Sequence, residues 1–189
     1  MANQLAVRGN NDAATQEQSG QYLTFLLAGE SFAVSIPDIK EIIEVTNITH
    51  VPLTPDFIFG VINLRGNVVP VVDLAARLKN RRSELSKHSC IVLVSVENPE
   101  GAQLIGMLVD EVREILEIPH ADIRPAPDFG VEIRTDFIQA MARVDDLFII
   151  LLAINRVLSM GELSQLGQLA QGETKLLPAD LEQAGRGIE

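Results

Sequence analysis

The chain has 189 residues, 47% of them apolar, with a formal net charge of -11 at pH 7, one cysteine and no tryptophan. The negative charge argues against a nucleic-acid or anionic-membrane partner, because either would repel such a surface on average. No run approaches the roughly eighteen apolar residues of a membrane-spanning helix, and the start lacks a signal-peptide pattern. The sequence therefore predicts a cytoplasmic globular protein without direct membrane insertion.

The first predicted elements follow a disordered arm, residues 1–20, which has no apolar periodicity. Apolar runs at residues 22–27 and 31–36, joined by an Ala-Gly-Glu turn, predict a β-hairpin. Pro37 then opens a short segment whose apolar spacing suits one or two helical turns, although extended structure from Ile42 onward is equally compatible.

A second hairpin is predicted from two apolar runs, residues 57–64 and 68–72, separated by a glycine-containing break that carries Arg65. Pro70 lies in the second run and cannot donate a ladder hydrogen bond, which favours an edge strand or a bulge at that position. A short amphipathic segment, residues 74–79, follows the hairpin.

The same pattern returns in the second half of the chain. Residues 137–152 repeat the hairpin of residues 57–72 eighty positions later, and residues 105–118 match residues 32–45 with a shorter offset. We infer that the chain consists of two copies of one β-rich unit.

The repeat predicts the domain boundaries. The first subdomain is expected at residues 21–86 and the second at residues 87–158, packed separately and joined by a charged linker. Leucines at helical spacing predict a C-terminal helix at residues 159–170 that packs on the subdomains. Residues 171–189 lack a continuous apolar face and are expected to form a flexible tail.

A search for chemistry finds no motif typical of an enzyme. The three histidines are far apart, and no zinc spacing, phosphate-binding loop or nucleophile elbow is present. The sequence therefore predicts no catalytic, metal-binding or cofactor-binding residue and favours a binding module. The alternative, a small enzyme or metabolite-binding protein, stays open.

Arg65 is the most informative polar residue. A hairpin needs a turn at this position but not a cation, since the second copy carries Asp145 and Asp146 there. A guanidinium group suits pairing with a carboxylate. We expect Arg65 to face Glu41, whose counterpart in the second copy is Glu114, and to present a charged edge to a partner.

Three sequence blocks together carry a family resemblance: GVINLRGNVVPVVDL around Arg65, DIKEI before it, and VDEV followed by IRPAP after it. Over about residues 21–169 the chain resembles the bacterial chemotaxis coupling proteins of the CheW family. The resemblance implies a mainly β fold of two SH3-like five-stranded β-barrels, in agreement with the duplication, with short helices and a C-terminal helix. It also implies a non-enzymatic adaptor.

The resemblance implies two partners for the chain. One subdomain would pair with the regulatory domain of the histidine kinase CheA, and a groove between the subdomains would take the cytoplasmic tip of methyl-accepting chemoreceptors. The protein would then be recruited to membrane receptor arrays. The alternative places a metabolite in the same groove. By position within the matching motifs, the residues expected to contact partners are Ile39, Glu41, Gly60, Arg65, Val112 and Ile115.

Overall fold

The residues with a described conformation, in a computed structural model of the chain, are 19–98, 101–127 and 136–157. The predicted helix at residues 159–170 and the tail at residues 171–189 lie outside them. So does the predicted arm, except that Ser19 and Gly20 already belong to the first strand.

Strands dominate both halves of the chain. The first half contains β1 (Ser19–Leu27), β2 (Glu30–Ser35), β3 (Ile39–Glu44), β4 (Ile58–Leu64) and β5 (Asn67–Asp73), followed by the helix α1 (Leu74–Lys79). The second half contains β6 (Cys90–Asn98), β7 (Gly101–Val109), β8 (Glu111–Pro119), β9 (Ile123–Arg124), β10 (Ile138–Val144) and β11 (Leu147–Leu152), followed by α2 (Ile154–Val157).

The segment after Pro37 is mostly a strand. A single 3-10 turn covers Ile36–Asp38, with the proline near its start, where a missing N–H costs no helical hydrogen bond. Strand β3 begins directly afterwards, at Ile39. Of the two alternatives left open by the sequence, extended structure is therefore correct, and it starts three residues earlier than Ile42.

The strands form two sheets. The terminal sheet, named for the first and last strands β1 and β11, has the strand order β8-β1-β2-β11-β10-β9, and the central sheet has the order β3-β6-β7-β5-β4. The predicted mainly β fold of two duplicated sheet units is confirmed. The terminal sheet has a sixth strand because β9 pairs with β10. In the central sheet, the equivalent pairing is reduced to an isolated bridge between Thr49 and Val61.

Each sheet combines strands from both copies of the repeat. The β1–β2 hairpin of the first copy lies between β8 and β11 of the second, and the β6–β7 hairpin lies between β3 and β5 of the first. In both sheets two hairpins are joined by a parallel pair of strands. These pairs are β2 with β11 in the terminal sheet and β7 with β5 in the central sheet. The two sheets therefore follow one plan in which the copies have exchanged strands.

This exchange corrects the predicted domain boundaries. The division at residue 86 assigned β1 and β2 to the first subdomain, but they pair with strands of the second copy. The cause is the short connection after each first hairpin, a turn at Ile36–Asp38 and the single residue Asp110. Each connection carries an extended segment from one sheet into the other, as strands do at the corners of two-sheet folds.

The core is continuous between the sheets. The largest buried cluster combines Phe25 and Leu27 of β1 with Val92 and Val94 of β6. Two smaller clusters lie on the other faces, around Leu151 in the terminal sheet and around residues of β4 to β7 in the central sheet. Because the largest cluster is shared, the two copies do not pack as separate units.

The linker between the copies is anchored by Asp73. This buried carboxylate caps α1 by accepting a hydrogen bond from the Ala76 N–H, at 3.1 Å. It also accepts hydrogen bonds from the backbone N–H and the hydroxyl of Ser83, both at 2.8 Å. The segment after α1 is therefore held against the helix at this point.

Pro70 lies in β5, which is an interior strand of the central sheet. It is paired with Val61 of β4, but the parallel pairing of β5 with β7 begins only at Val71. At Pro70 the strand is therefore unpaired on one side, which accommodates a residue without an N–H.

Candidate partner-binding surfaces

The tip of the β4–β5 hairpin has a turn conformation that explains its glycine but not its arginine. Both central residues have positive φ, 52° at Arg65 and 88° at Gly66, as in the turns that match the twist of antiparallel strands. Asn63 supports the turn by accepting a hydrogen bond from the Gly66 N–H on its Oδ1, at 2.9 Å. Arginine is not a residue type favoured at positive φ. The local fold therefore gives no reason for this cation.

Arg65 and Glu41 form an ion pair, as expected from the sequence. Arg65 Nη2 lies 3.0 Å from Glu41 Oε1, and the two side chains are 74% and 37% exposed. Glu41 belongs to β3 and Arg65 follows β4, which are the two edge strands of the central sheet. The contact is single rather than bidentate, so much of the guanidinium fork faces solvent. Such an exposed pair stabilises the fold by at most about 1 kcal/mol.

The second hairpin has the same geometry and the opposite charge. Its turn residues Asp145 and Asp146 also have positive φ, 47° and 64°, and aspartate adopts this conformation more readily than arginine. The next two residues, Leu147 and Phe148, are 72% and 56% exposed. The two copies thus share the turn conformation but differ in the charge of the side chains at the tip.

Gly60 cannot contact a partner through a side chain, and it is buried. It has φ of 154°, and a Cβ atom there would lie 2.4 Å from the Thr49 carbonyl oxygen. Gly60 follows a register shift after Ile58. Here the backbone at Thr49, which is hydrogen-bonded to Val61, approaches β4 closely. The prediction of Gly60 as a contact residue is corrected accordingly, because its role in the structure is to allow this close approach.

The remaining predicted residues lie on edge strands of the two sheets. Ile39 in β3 and Val112 in β8 are counterparts in the repeat, and both are half-buried against the shared core. Ile115 in β8 is 57% exposed, and its counterpart Ile42 in β3 is 43% exposed. Ile42 was not among the predicted contact residues, although the repeat aligns it with Ile115 and so contains the signal that could have identified it.

The structure therefore divides the predicted set into two surfaces. The first surface, on the central sheet, consists of Glu41 and Arg65. Ile39 and Ile42 lie on the opposite face of β3, because they pair with Val94 and Val92 of the shared core whereas Glu41 pairs with Leu93. The second surface, on β8 of the terminal sheet, consists of Val112 and Ile115. The edge strands β3 and β8 each carry a half-buried aliphatic residue and an exposed isoleucine, and only the first surface carries a cation.

Asp38, immediately before β3, has a perturbed carboxyl group. Partial burial raises the pKa of Asp38 above its ordinary value of 3.8, and the positive charge of Lys40 offsets part of the rise. The carboxylate is therefore less favourable here than in solvent.

The described residues contain no cluster typical of a metal site. Within residues 19–98, 101–127 and 136–157, no three side chains of His, Cys, Asp or Glu are grouped so that they could hold a metal ion. None of the helices in these ranges is long and apolar enough to cross a membrane. An apolar void between β5, β6, β7 and α2 has a volume of about 10 Å³, too small for a metabolite. A more polar cleft of about 180 Å³ is lined by residues that include Ala75, Arg81 and Asp110.

Two duplicated, strand-exchanged sheets that present aliphatic and charged edge surfaces define a β-sheet binding module. The CheW-like domain family model matches residues 21–162. The chain therefore belongs to the CheW-like domain family.

Individual proteins of this family are similar to the chain over most of their length. The chemotaxis protein CheW of Klebsiella aerogenes is 29% identical over 151 residues, which cover 80% of this chain and 89% of the relative. CheW of Bacillus subtilis is 31% identical over 137 residues, which cover 72% and 85%. The crystal structure of the scaffolding protein TtCheW from Thermoanaerobacter tengcongensis superimposes with a TM-score of 0.68 at 33% identity, covering 77% of this chain and 92% of that chain. None of these similarities supports the alternative of an enzyme or a metabolite-binding protein.

Proposed function

We propose that this chain is a non-enzymatic adaptor that couples transmembrane chemoreceptors to the histidine kinase CheA in bacterial chemotaxis. Family membership supports the proposal, as do relatives named as chemotaxis proteins and a structural neighbour described as a scaffolding protein. The protein would act in the cytoplasm, recruited to membrane receptor arrays. It would bind the regulatory domain of the kinase and the cytoplasmic tip of the receptor.

One observation carries the proposal at the level of residues. Arg65 is 74% exposed on a hairpin tip, in a backbone conformation that its residue type disfavours. Its single contact with Glu41 orients the guanidinium group while leaving hydrogen-bond donors available. Arginine is enriched among the residues that dominate binding energy in protein interfaces.

The two surfaces would allow two partners to bind together. Glu41 and Arg65 form one surface, with Ile39 and Ile42 on the opposite face of the same edge strand, and Val112 and Ile115 lie on an edge strand of the other sheet. Exposed aliphatic residues with charged neighbours resemble the centre and rim of an interface. Gly60 contributes indirectly by permitting the backbone path of β4.

The test is titration of the purified chain with a receptor cytoplasmic fragment and, separately, with the kinase regulatory domain. Arg65→Ala should weaken binding of at least one partner by about tenfold, equivalent to about 1.4 kcal/mol. Ile115→Ala probes the second surface in the same way. Arg82→Ala, at an exposed arginine in the linker, is the matched control and should bind normally. If Arg65→Ala binds both partners with unchanged affinity, the tip is only a solvated turn.

A further inference from the structure

Arg77, in α1, lies between two aromatic rings that come from different copies of the repeat. Its guanidinium carbon is 4.7 Å from the ring centre of Phe57 and 4.9 Å from that of Phe137. Phe137 is the counterpart of Phe57, eighty residues later in the chain. A single cation therefore bridges the two copies through equivalent residues.

The same side chain also binds the second helix. Arg77 Nε donates a hydrogen bond to the Val157 carbonyl oxygen, at 2.7 Å. Val157 belongs to α2 and occupies in the second copy the position that Arg77 occupies in the first. Arg77 therefore links α1 to α2 by a direct hydrogen bond to the backbone.

Both phenylalanines lie at the entrance of a hairpin. The Phe57 carbonyl oxygen accepts a hydrogen bond from the Asp73 N–H, at 2.8 Å, and the Phe137 carbonyl oxygen accepts one from the Ala153 N–H, at 2.9 Å. Each bond connects the start of a hairpin to its end, which is Asp73, the last residue of β5, in the first copy and Ala153, directly after β11, in the second. Arg77 thus contacts the closing point of both the β4–β5 and the β10–β11 hairpins.

We propose that Arg77 is a positioning residue for partner binding. By joining Phe57, Phe137 and Val157 of α2, it holds the two hairpins in one fixed relation, so that the hairpin bearing Arg65 keeps its orientation relative to the terminal sheet. A binding partner that contacts both sheets depends on that relation. The binding part of this inference rests on the proposed adaptor function, whereas the inter-copy contact does not.

The test compares Arg77→Met, which keeps an apolar stem without a cation, with Arg77→Lys, which keeps the charge but lacks Nε. Arg156→Met, at an exposed arginine of α2, is the matched control. Amide hydrogen exchange is followed at Asp73 and Ala153, whose N–H groups close the hairpins, and at Val92 in the shared core. A loss of purely global stability would accelerate exchange at all three amides alike.

For Arg77→Met, we expect exchange at Asp73 and Ala153 to accelerate by about tenfold, as for a local loss of about 1.4 kcal/mol, with Val92 unchanged. Assembly of receptor fragment and kinase domain on the variant should weaken by roughly fivefold or more, with Arg77→Lys intermediate and Arg156→Met normal. Equal acceleration at all three amides, or normal assembly on Arg77→Met, would overturn the positioning role. Failure of the wild-type chain to bind either partner would instead refute the adaptor function, and the exchange pattern would still decide whether the inter-copy contact holds the hairpins.

Discussion

Arg65 combines an unfavourable backbone conformation with high exposure, and these two properties separate its role in folding from its role in binding. Its φ of 52° suits asparagine better than arginine. Its ion pair with Glu41 is too exposed to stabilise the fold strongly. A substitution that improves the turn and removes the cation should therefore move stability and binding in different directions.

Arg65→Asn is that substitution, because it creates the Asn-Gly pair preferred at two-residue hairpin turns. We expect the free energy of unfolding to stay within about 1 kcal/mol of the wild-type value, since a better turn offsets the lost ion pair. Partner affinity should fall by about tenfold or more. Urea unfolding and partner titration measure the two quantities. Parallel losses of stability and affinity would show that Arg65 serves the fold.

Asp38 provides a prediction about pH dependence. Because burial raises its pKa in the folded state, the carboxyl group favours folding only while it is protonated, and this contribution is lost as pH rises through the folded pKa. Asp38→Asn should therefore be more stable than the wild type at pH 7. The difference should disappear as pH falls below the ordinary value of 3.8. Urea midpoints across this range test the direction, and a less stable variant at pH 7 would contradict it.

At the scale of elements, the hairpins could be predicted from the sequence because their contacts are local. Glycine, aspartate and alternating apolar residues marked the turn at Arg65 and its counterpart at Asp145. The same register shift occurs near the start of both hairpins, after Ile58 and after Ile138. The repeat was visible because equivalent strands need equivalent apolar residues.

The exchange of strands could not be predicted in the same way. Pairing of β2 with β11 joins residues more than a hundred positions apart, such as Phe32 and Ile150. An apolar strand has the same sequence signature whichever sheet accepts it. For the same reason the sequence did not reveal Arg77, whose role appears only when Phe57 and Phe137 meet. Of the candidate site, the pairing of Glu41 with Arg65 was predicted correctly, and the contact of the site residues with partners stays a prediction.

Gly60 yields a prediction at the scale of one hairpin. Gly60→Ala puts a Cβ atom against the Thr49 carbonyl oxygen and forces alanine into a positive φ, so it should destabilise the fold by roughly 2 kcal/mol or more. Ala140→Gly, at the equivalent position of the second hairpin, is the matched control and should cost only about 0.5–1 kcal/mol. Thermal unfolding compares the two variants. Similar effects would mean that the close approach at Thr49 does not require glycine.

At the scale of the whole molecule, the exchanged strands and shared core make the two halves interdependent. A chain cut between Glu84 and Leu85 keeps the contact of Asp73 with Ser83 in its first fragment. Each fragment alone lacks strands that complete a sheet. We expect neither fragment to fold cooperatively as a monomer, and an equimolar mixture to recover a native near-ultraviolet spectrum and a single thermal transition. Cooperative folding of an isolated monomeric fragment would support separate subdomains instead.

The adaptor function also belongs to the whole molecule, because it requires both partners on one chain at the same time. The most direct measurement is co-sedimentation of membranes containing chemoreceptor with the purified kinase CheA, in the absence of this protein, with the wild-type chain, and with Arg65→Ala. An adaptor should carry the kinase into the membrane pellet when the wild-type chain is present. For Arg65→Ala we expect a loss of about tenfold in apparent affinity, with a wild-type melting curve. Kinase sedimentation that does not depend on the wild-type chain would contradict the adaptor function.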